Sequence, residues 1–301
     1  MTAISSDNLY PDGDFDYQLL DTGNLKKLER FGPYSFVRPA PQVIWPPKLP
    51  KTEWDKANGE FCHHKRKSTG GGEWTFRNPV PKNGWPLRFR DLIFTVQTTP
   101  FGHLGLFPEQ AQNWVWIANQ IKSLNGNKPN VLNMFGYTGA STLVATENGA
   151  NVTHLDASKT SVTWARKNLE SSGLSDYPVR WMVDDAEKFL LREHRRNRRY
   201  DALIMDPPSF GRGPKGEVWN IETQMGTLLT LCKNILSDSP KFLLLTTHSP
   251  GLSSLTLKNM MIKFLVAPDS GLFDIGDMSI YDSGSKLHLP NGFYARFSSN
   301  P

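Results

Sequence analysis

Cysteine is scarce in this chain of 301 residues, which contains only Cys62 and Cys232. Two cysteines exclude a disulfide framework and leave almost no ligands for a zinc site built on thiolates. Cys62 is followed by His63 and His64, but adjacent side chains point in different directions, and no second pair of ligands follows at zinc spacing. The sequence therefore predicts no metal site.

Long apolar runs are also missing, since none approaches the roughly 20 residues that a membrane-spanning helix needs. Residues 1–16 are polar and acidic, and they show neither the apolar stretch of a signal peptide nor the basic amphipathic pattern of a transit peptide. These absences predict a cytoplasmic protein without a membrane segment. The sequence leaves the oligomeric state open.

The net charge of the chain is +5, which is compatible with a polyanionic partner such as RNA but does not establish one. Basic residues are concentrated in two runs, residues 65–67 and 192–199. The second run lies where a helix is predicted to end, and cations there complement the helix dipole. Two interpretations of this run stay open, a helix terminus and a surface that faces RNA.

The first hundred residues differ from the rest of the chain. Residues 39–50 contain five prolines, too many for a helix or a central strand. Residues 74–76 and 87–98 have strand-like patterns. We interpret residues 1–100 as an N-terminal arm with a small β-rich appendage, and residues 101–301 as a second domain.

Strand and helix patterns alternate after residue 109. The predicted strands are residues 131–134, 152–155, 179–183, 201–205 and 242–246, and the predicted helices are residues 109–124, 140–148, 158–171, 186–194, 222–236 and 255–264. This order predicts an α/β domain with a doubly wound, mostly parallel sheet. Two further strand candidates, residues 273–280 and 292–297, have no helix between them and predict an antiparallel hairpin at one edge.

Ligands of a doubly wound sheet bind beyond the carboxyl ends of its strands, so the residues after each strand are candidates for the chemistry. After the first of these strands, Gly136 and Gly139 permit a tight turn and a close approach of the backbone to a ligand. The G-x-G-x-x-G pattern that admits a pyrophosphate is absent. The turn therefore suits a ligand without a phosphate at that point.

Acidic residues follow the next two strands. Asp156 can accept hydrogen bonds from both ribose hydroxyls of an adenosine, while Ser158 is the better cap for the next helix. One of Asp184 and Asp185 can cap the helix that follows them, and the other can accept a hydrogen bond from an adenine amino group. We assign the adenine to Asp185.

The most specific pattern follows the fourth strand and reads Asp206-Pro207-Pro208-Ser209-Phe210. Asp206 and the Pro207 carbonyl can together accept hydrogen bonds from a planar nitrogen group. Phe210 can stack on the ring that carries this group, as aromatic side chains hold extruded bases. A simple proline turn explains the prolines but neither the acid nor the aromatic residue beside them.

With these motifs the sequence resembles the class I S-adenosylmethionine-dependent methyltransferases, and more narrowly the bacterial group that includes large-subunit ribosomal RNA methyltransferases. The resemblance covers about residues 85–265. Its motifs occur in the same order at residues 105–110, 133–139, 156–158, 184–186 and 206–210. It implies a seven-stranded sheet whose last strand is antiparallel, and S-adenosylmethionine as the cofactor.

The resemblance also implies roles for single residues. The turn at residues 133–139 holds the methionine part of the cofactor, Asp156 the ribose and Asp185 the adenine. The full implied cofactor set is Asn133, Phe135, Gly136, Tyr137, Thr138, Gly139, Asp156, Ala157, Ser158, Asp184, Asp185, Ala186, Phe107, Glu109 and Gln110. The implied catalytic residues, which hold the acceptor, are Asp206, Pro207, Pro208, Ser209 and Phe210.

One departure from the family narrows the choice of the atom that accepts the methyl group. Members that make 5-methylcytosine use a cysteine nucleophile after the fifth strand or beside the Asp-Pro-Pro motif, where this sequence has residues 246–250 (Thr-Thr-His-Ser-Pro) and Ser209-Phe210. Because attack on a ring carbon lacks its nucleophile, the sequence favours methylation of a nucleobase nitrogen and, less strongly, of an oxygen. The expected partner is RNA, and ribosomal RNA in particular.

Three more residues are candidates for substrate binding. Arg212 and Lys215 can hold a phosphate of the substrate, or they can be ordinary solvated loop residues. His248 can accept a proton, or it can be a histidine that merely ends a strand.

Other functions stay open on the sequence alone. The acceptor can be a protein or a small molecule instead of RNA. A nicotinamide-dependent dehydrogenase would need the phosphate-binding glycine pattern that is absent. A binding module that has lost catalysis is disfavoured by the intact motif at residues 206–210.

Overall fold

The structure is a computed structural model that describes residues 14–64, 71–213, 216–282 and 284–299. The chain forms two compact units. The first comprises Met1–Gln112 with Ser279–Pro290, and the second comprises Asn113–Met278 with Asn291–Pro301. The sequence predicts a domain boundary between residues 100 and 101. In the structure, the first unit extends to Gln112 and also contains the C-terminal segment Ser279–Pro290.

The first unit is built mainly from strands. They are β1 (Tyr17–Gly23), β2 (Lys26–Phe31), β3 (Tyr34–Pro39), β4 (Gly59–His63), β5 (Gly72–Phe76), β6 (Trp85–Phe89) and β7 (Leu92–Val96), with a short helix α1 (Lys51–Trp54) before β4 and a 3-10 helix (Pro108–Gln110) near the end. β1, β2 and β3 form an antiparallel meander, β4 is parallel to β3, and β6 and β7 form a separate hairpin.

The sequence patterns predicted β5, β6 and β7 but not the strands between Tyr17 and His63, so this unit holds more than a small appendage. In β2, three successive residues, Lys27, Leu28 and Glu29, are buried. The period-two alternation that identifies a half-buried strand is therefore hidden by charged residues that lie inside.

The buried charges of β2 are paired within the first unit. Glu29 accepts two hydrogen bonds from Arg38, at 2.7 and 2.9 Å, and one from Tyr17 at 2.8 Å, and its Oε1 lies 3.2 Å from Lys27 Nζ. Burial raises the pKa of Glu29, but Arg38 and Lys27 outweigh it and lower the pKa to about 2. The carboxylate is thus ionised and compensated inside the core.

The second unit alternates strands and helices. They are α2 (Ala111–Lys122), β8 (Asn130–Met134), α3 (Ala140–Glu147), β9 (Asn151–Asp156), α4 (Lys159–Ser171), β10 (Val179–Val183), α5 (Ala186–Arg195), β11 (Ala202–Met205), β12 (Phe210–Arg212), β13 (Val218–Asn220), α6 (Ile221–Lys233), β14 (Phe242–Thr247), α7 (Ser254–Phe264), β15 (Leu272–Asp282) and β16 (Leu287–Ser298); α2, β15 and β16 also supply residues to the first unit.

The sheet of the second unit has the strand order β10-β9-β8-β11-β14-β16-β15. The first five of these strands are parallel to their neighbours, and β16 is antiparallel to β14. This confirms the predicted α/β domain with a mostly parallel sheet. All residues of β11 and β14 are buried, as expected for parallel strands covered on both faces.

Two details of the predicted sheet are wrong. Asp282, at the end of β15, pairs with Leu19 of β1 within the first unit. β15 is therefore not an edge strand, and the sheet is not limited to the seven predicted strands. A partner strand that lies far away in sequence leaves no local signal, because edge and interior strands share the same residue pattern.

Candidate active site

The predicted motifs of the second unit lie at one edge of its parallel sheet. They follow β8, β9, β10, β11 and β14, and neighbouring parallel strands end at the same edge. The structure brings together the turn at residues 133–139, Asp156, the Asp184-Asp185 pair, the loop at residues 206–210 and His248.

The turn after β8 has an uncommon backbone. Phe135, Tyr137 and Gly139 have φ angles of 57°, 49° and 91°. A Cβ atom on Gly136 would lie 2.5 Å from the His154 ring, and one on Gly139 would lie 2.8 Å from the Ala165 side chain. Left-handed conformations of non-glycine residues persist only where the surroundings enforce them, and they occur often at ligand clamps.

Asp156 holds this turn in place. Its Oδ2 accepts a hydrogen bond from the Tyr137 backbone N–H at 2.9 Å, and its Oδ1 accepts one from the Ser158 N–H at 2.8 Å. Burial raises the pKa of Asp156, and these two hydrogen bonds oppose that rise. An ionised carboxylate offers about four acceptor positions. Asp156 therefore retains acceptor capacity for two hydroxyl donors, which is what a ribose presents.

A buried polar chain lies beneath the turn, and sequence reasoning did not find it. Asn133 Nδ2 donates to Thr142 Oγ1 at 2.9 Å, and Thr142 Oγ1 lies 2.8 Å from His154 Nδ1. Burial, assisted by the charge of Arg166, lowers the pKa of His154 to about 3, so the ring is neutral. The amide of Asn133, predicted to contact the cofactor, thus supports the turn from inside. Thr138 is also buried, and its carbonyl accepts a hydrogen bond from Asn168.

The loops after β9 and β10 start helices. Ser158 caps α4 by accepting from the Ser161 N–H, as predicted. Asp185 caps α5, since its Oδ1 accepts from the Lys188 N–H at 3.0 Å. Asp184 accepts from the Asp185 N–H and forms an ion pair with Arg192.

The cap on α5 therefore comes from the aspartate that was assigned the adenine. Only Oδ1 of Asp185 serves the cap, and its assignment to adenine stays a prediction, as do those of Ala157 and Ala186 beside it. Arg192, part of the second basic run, forms an ion pair with Asp184, and both interpretations of that run stay predictions.

The loop after β11 carries the acid that the motif predicted. Asp206 Oδ1 accepts a hydrogen bond from Thr246 Oγ1 at 2.7 Å, and it lies 3.8 Å from His248 Nδ1. Ser209 Oγ is 2.7 Å from Ser249 Oγ. The ends of β11 and β14 are thus joined by hydroxyl groups, which fix the position of the carboxylate.

Between the predicted strand at residues 201–205 and the predicted helix at residues 222–236, the structure contains the hairpin of β12 and β13, which the sequence patterns did not predict. These strands have three residues each, too few to show a pattern. Trp219 of β13 donates to the Pro208 carbonyl at 2.7 Å, and its ring lies 5.3 Å from that of Phe135. The Pro208 carbonyl is thus occupied by a protein donor, and the role of the Pro207 carbonyl towards the acceptor stays a prediction.

Phe210 begins this hairpin and is 57% exposed, which is unusual for a phenylalanine and leaves its ring accessible. Arg212, at the end of β12, is also exposed. Lys215, the other predicted phosphate contact, lies outside the described residues, as does the basic run at residues 65–67.

Phe107, Glu109 and Gln110 belong to the first unit. Glu109 and Gln110 form the 3-10 helix before α2 and are buried, and the Phe107 ring lies 5.0 Å from that of His103. Glu109 is close enough to Tyr17, Lys27 and Arg38 to affect their pKa values. In the structure, Glu109 is thus part of the buried charge cluster around Glu29.

The two cysteines differ in their surroundings. Cys232 is completely buried in α6, and burial raises the pKa of its thiol far above the usual value. Cys62 is exposed on β4 of the first unit. Within residues 14–64, 71–213, 216–282 and 284–299, no cluster of three or more histidine, cysteine or acidic side chains is suited to hold a metal ion. The helices of these same segments are all too short or too polar to cross a membrane.

Comparison with known proteins identifies the family. The crystal structure of an S-adenosylmethionine-dependent methyltransferase from Agrobacterium tumefaciens is 36% identical, covers 94% of this chain and 90% of its own, and superposes with a TM-score of 0.88. This chain belongs to the S-adenosylmethionine-dependent methyltransferases. The cofactor of the family is S-adenosylmethionine, and the turn after β8 with Asp156 is the part of the chain that fits it.

Curated relatives of the methyltransferase match over part of their length. Ribosomal RNA large subunit methyltransferase K/L of Alteromonas mediterranea is 31% identical over 48% of this chain and 20% of its own length. Ribosomal RNA large subunit methyltransferase K of Neisseria meningitidis is 27% identical over 52% of this chain and 43% of its own. The chain thus spans less than half the length of these relatives. Residues 111–223 also match the family described as conserved hypothetical protein 95.

Proposed function

We propose that this enzyme transfers the methyl group of S-adenosylmethionine to a nitrogen of a nucleobase in RNA, with ribosomal RNA as the substrate class, in the cytoplasm. The observation that carries the proposal is the loop after β11. It holds a fixed carboxylate, Asp206, and four residues later an exposed aromatic ring, Phe210, at the start of a short hairpin. An acid beside an accessible ring matches the needs of a base that is removed from its stack.

The cofactor would lie against the loops after β8, β9 and β10. S-adenosylmethionine, when bound, supplies an electrophilic methyl group. Asp156 would accept the ribose hydroxyls, the turn at residues 135–139 would receive the methionine part, and Asp185 would accept from the adenine amino group. The rigid support of the turn by Asn133, Thr142 and His154 keeps these groups in place before the ligand arrives.

The acceptor would be positioned by the loop after β11. Asp206 would accept a hydrogen bond from an N–H of the base, and Phe210 would stack on its ring. Transfer would form a bond between the nitrogen and the methyl carbon and break the bond from that carbon to sulfur. His248, whose Nδ1 lies 3.8 Å from Asp206 Oδ1, would accept the proton that the nitrogen releases. Positioning can supply roughly 7–11 kcal/mol of the barrier reduction.

The state of the cysteines supports a nitrogen as the acceptor atom, and the names of the curated relatives support RNA as the substrate. Methylation of a pyrimidine ring carbon uses a thiolate nucleophile, and Cys232 is buried with a raised pKa. The curated relatives act, by their names, on large-subunit ribosomal RNA. Because the chain covers only part of them, their substrate is a proposal for this enzyme.

The test is a transfer assay with unmodified ribosomal RNA transcribed in vitro and S-adenosylmethionine labelled in its methyl group, followed by digestion to nucleosides and mass spectrometry. We expect the label on a base nitrogen. Asp206→Ala should lower the rate by about 100-fold, the loss that misplacement of reactants causes. Asp238→Ala, which removes an exposed acid, serves as the control.

Two outcomes contradict parts of the proposal. Label on a ring carbon or a ribose oxygen overturns the nitrogen assignment. Label that enters protein or small molecules of a cell extract, and not RNA, overturns the RNA assignment and favours the other acceptor classes.

A further inference from the structure

A second cleft lies at the other edge of the same parallel sheet. It has a volume of about 450 Å³ and is formed around the amino-terminal ends of β8, β9 and β10. Strands of five residues are about 16 Å long, so this cleft is separated by the length of the strands from the loops that hold the proposed active site. None of its lining residues takes part in that site.

Three arginines from two separate parts of the chain line the cleft. Arg180 comes from β10, and Arg198 and Arg199 come from the segment between α5 and β11. Cations at the end of α5 would by themselves be explained by the helix dipole. The helix dipole does not explain Arg180, which belongs to a strand. The meeting of all three arginines at one cleft therefore needs another explanation.

Positive charge exceeds negative charge around the cleft. Glu193 is completely buried, and the guanidinium groups of Arg180, Arg196 and Arg198 lie 2.5, 3.3 and 3.9 Å from its carboxylate. Three cations thus share one anion. The carboxylate of Asp201, which does not line the cleft, accepts a hydrogen bond from the N–H of Asn130, which does.

Arg180 is held in a fixed position. Both of its terminal nitrogens donate to Glu193, at 2.5 and 2.9 Å, and Glu193 also accepts a hydrogen bond from Tyr200 at 2.7 Å. Burial raises the pKa of Tyr200 to about 12, so its hydroxyl remains a donor. An ordered guanidinium loses little conformational entropy when it binds an anion.

The rest of the lining suits a nucleotide. Pro178 and Val179 present apolar surface, and Asn130, Asn151 and Thr153 present polar side chains beside it. Pockets for small ligands combine apolar walls with a few polar groups in a volume of about 300–1,000 Å³. Arginine is the side chain best matched to the geometry of a phosphate.

We infer that this cleft binds a nucleotide by its phosphate, which Arg180, Arg198 and Arg199 hold while Pro178 and Val179 contact the sugar or base. The nucleotide is either one unit of an RNA chain or a free nucleotide. The site is independent of the methyl transfer proposed above. If RNA is the substrate, the cleft adds a contact with the RNA that is remote from the modified base.

The experiment compares two variants with equal loss of charge. The test variant carries Arg198→Ala and Arg199→Ala. The control carries Lys167→Ala and Arg195→Ala, which remove two exposed cations of α4 and α5 that do not line the cleft. Binding of the full chain to a labelled single-stranded RNA is measured by fluorescence polarisation between 50 and 200 mM salt. Calorimetry then measures binding of AMP and of inorganic phosphate, with saturating S-adenosylhomocysteine throughout.

We expect the test variant to bind RNA at least about 10-fold more weakly than the control variant, with a dependence of log K on log salt that is shallower by about 1–2. Weaker RNA binding without measurable AMP binding identifies an RNA unit as the ligand. Weaker AMP and phosphate binding with unchanged RNA binding identifies a free nucleotide.

Equal binding by the two variants to every probe overturns the inference. Thermal unfolding of both variants and their affinity for S-adenosylhomocysteine show whether they are folded. Failure of the methyl transfer assay with this cleft intact would concern only the proposed function, because phosphate binding here is measured without turnover.

Discussion

At the residue scale, Asp156 both shapes the turn after β8 and keeps acceptor positions for a ligand. Its two oxygens accept hydrogen bonds from the backbone N–H groups of Tyr137 and Ser158. A carboxylate held in this way needs no reorientation when hydroxyl groups arrive. The residue is therefore the most direct test of the cofactor site.

Asp156→Ala should weaken binding of S-adenosylhomocysteine by about 1–3 kcal/mol, the cost of a lost buried hydrogen-bonding group, or about 5- to 150-fold in Kd. Calorimetric titration measures it. Asp201→Ala is the matched control, because that carboxylate also accepts a backbone N–H but lies at the other edge of the sheet. Wild-type affinity in Asp156→Ala would refute the ribose assignment.

Phe210 tests the part of the proposed active site that holds the acceptor base. Its exposed ring is proposed to stack on the base, and stacking of a base on an aromatic ring is worth about 1–3 kcal/mol. Phe210→Ala should thus raise KM for RNA, or lower kcat/KM, by about 5- to 150-fold while Kd for S-adenosylhomocysteine stays constant. Leu255→Ala, at another exposed apolar side chain, is the control. An equal loss in both variants would contradict a stacking role.

At the scale of elements, four of the helices that follow strands begin at side-chain caps, whereas α3 begins at Gly139 without one. Ser158, Asp185, Asn220 and Ser253 cap α4, α5, α6 and α7. Each cap satisfies one N–H group of a helix start. For α5 the capping residue is also a proposed ligand of adenine, so stability and binding can be separated by the choice of substitution.

Asp185→Asn should keep the cap, since asparagine caps about as well as aspartate, and leave the free energy of unfolding within about 0.5 kcal/mol of wild type. It should weaken S-adenosylhomocysteine binding, because an amide nitrogen replaces one acceptor oxygen. Asp185→Ala should lose the cap as well and cost about 0.5–2 kcal/mol of stability. Urea unfolding and calorimetry measure the two effects.

Undiminished affinity in Asp185→Asn would show that Asp185 serves the helix alone. Lower stability of the same variant would instead show that the carboxylate charge at the N-terminus of α5 matters beyond its hydrogen bond.

At the scale of the whole molecule, the two units respond to acid at different pH values. His154, in the second unit, has a pKa of about 3 in the folded state, below its usual 6.5. Between these values the unfolded chain binds a proton that the folded chain does not, so stability falls as the pH drops below 6.5. Glu29, in the first unit, has a pKa of about 2 against 4.5. Its contribution is present above pH 4.5 and is lost as the pH falls towards 2.

We therefore expect acid to weaken the second unit first. Between pH 7.5 and pH 5.5, His154 alone should lower the free energy of unfolding by about 1.4 kcal/mol. Amide hydrogen exchange in β8, β9 and β10 should then become about tenfold faster, after correction for the intrinsic exchange rates. Exchange in β1, β2 and β3 should change less. Mass spectrometry of peptides after exchange resolves these segments.

Two variants assign the effect. His154→Asn should remove this pH dependence. Thr142→Val removes the hydroxyl partner but keeps the imidazole, so this variant should retain the pH dependence. Equal acid sensitivity of the wild type and His154→Asn would refute the assignment to His154.

The sequence by itself determined the alternation of strands and helices in the second unit and the order of the loops at its ligand-binding edge. Apolar runs such as β11 and β14 and the cap of α4 act over a few residues, so they can be identified locally. The Asp206–Phe210 motif predicted an acid beside an accessible ring for the same reason.

Only the tertiary structure decided which residues share a contact. Asn133, Thr142 and His154 meet from two strands and a helix, Glu29 is compensated by Arg38, and Arg180 joins Arg198 and Arg199 across a gap of many residues. A charged residue of a buried strand has the same local signature as one on the surface. Its partner lies far away in sequence, and the free energy of burial depends on that partner.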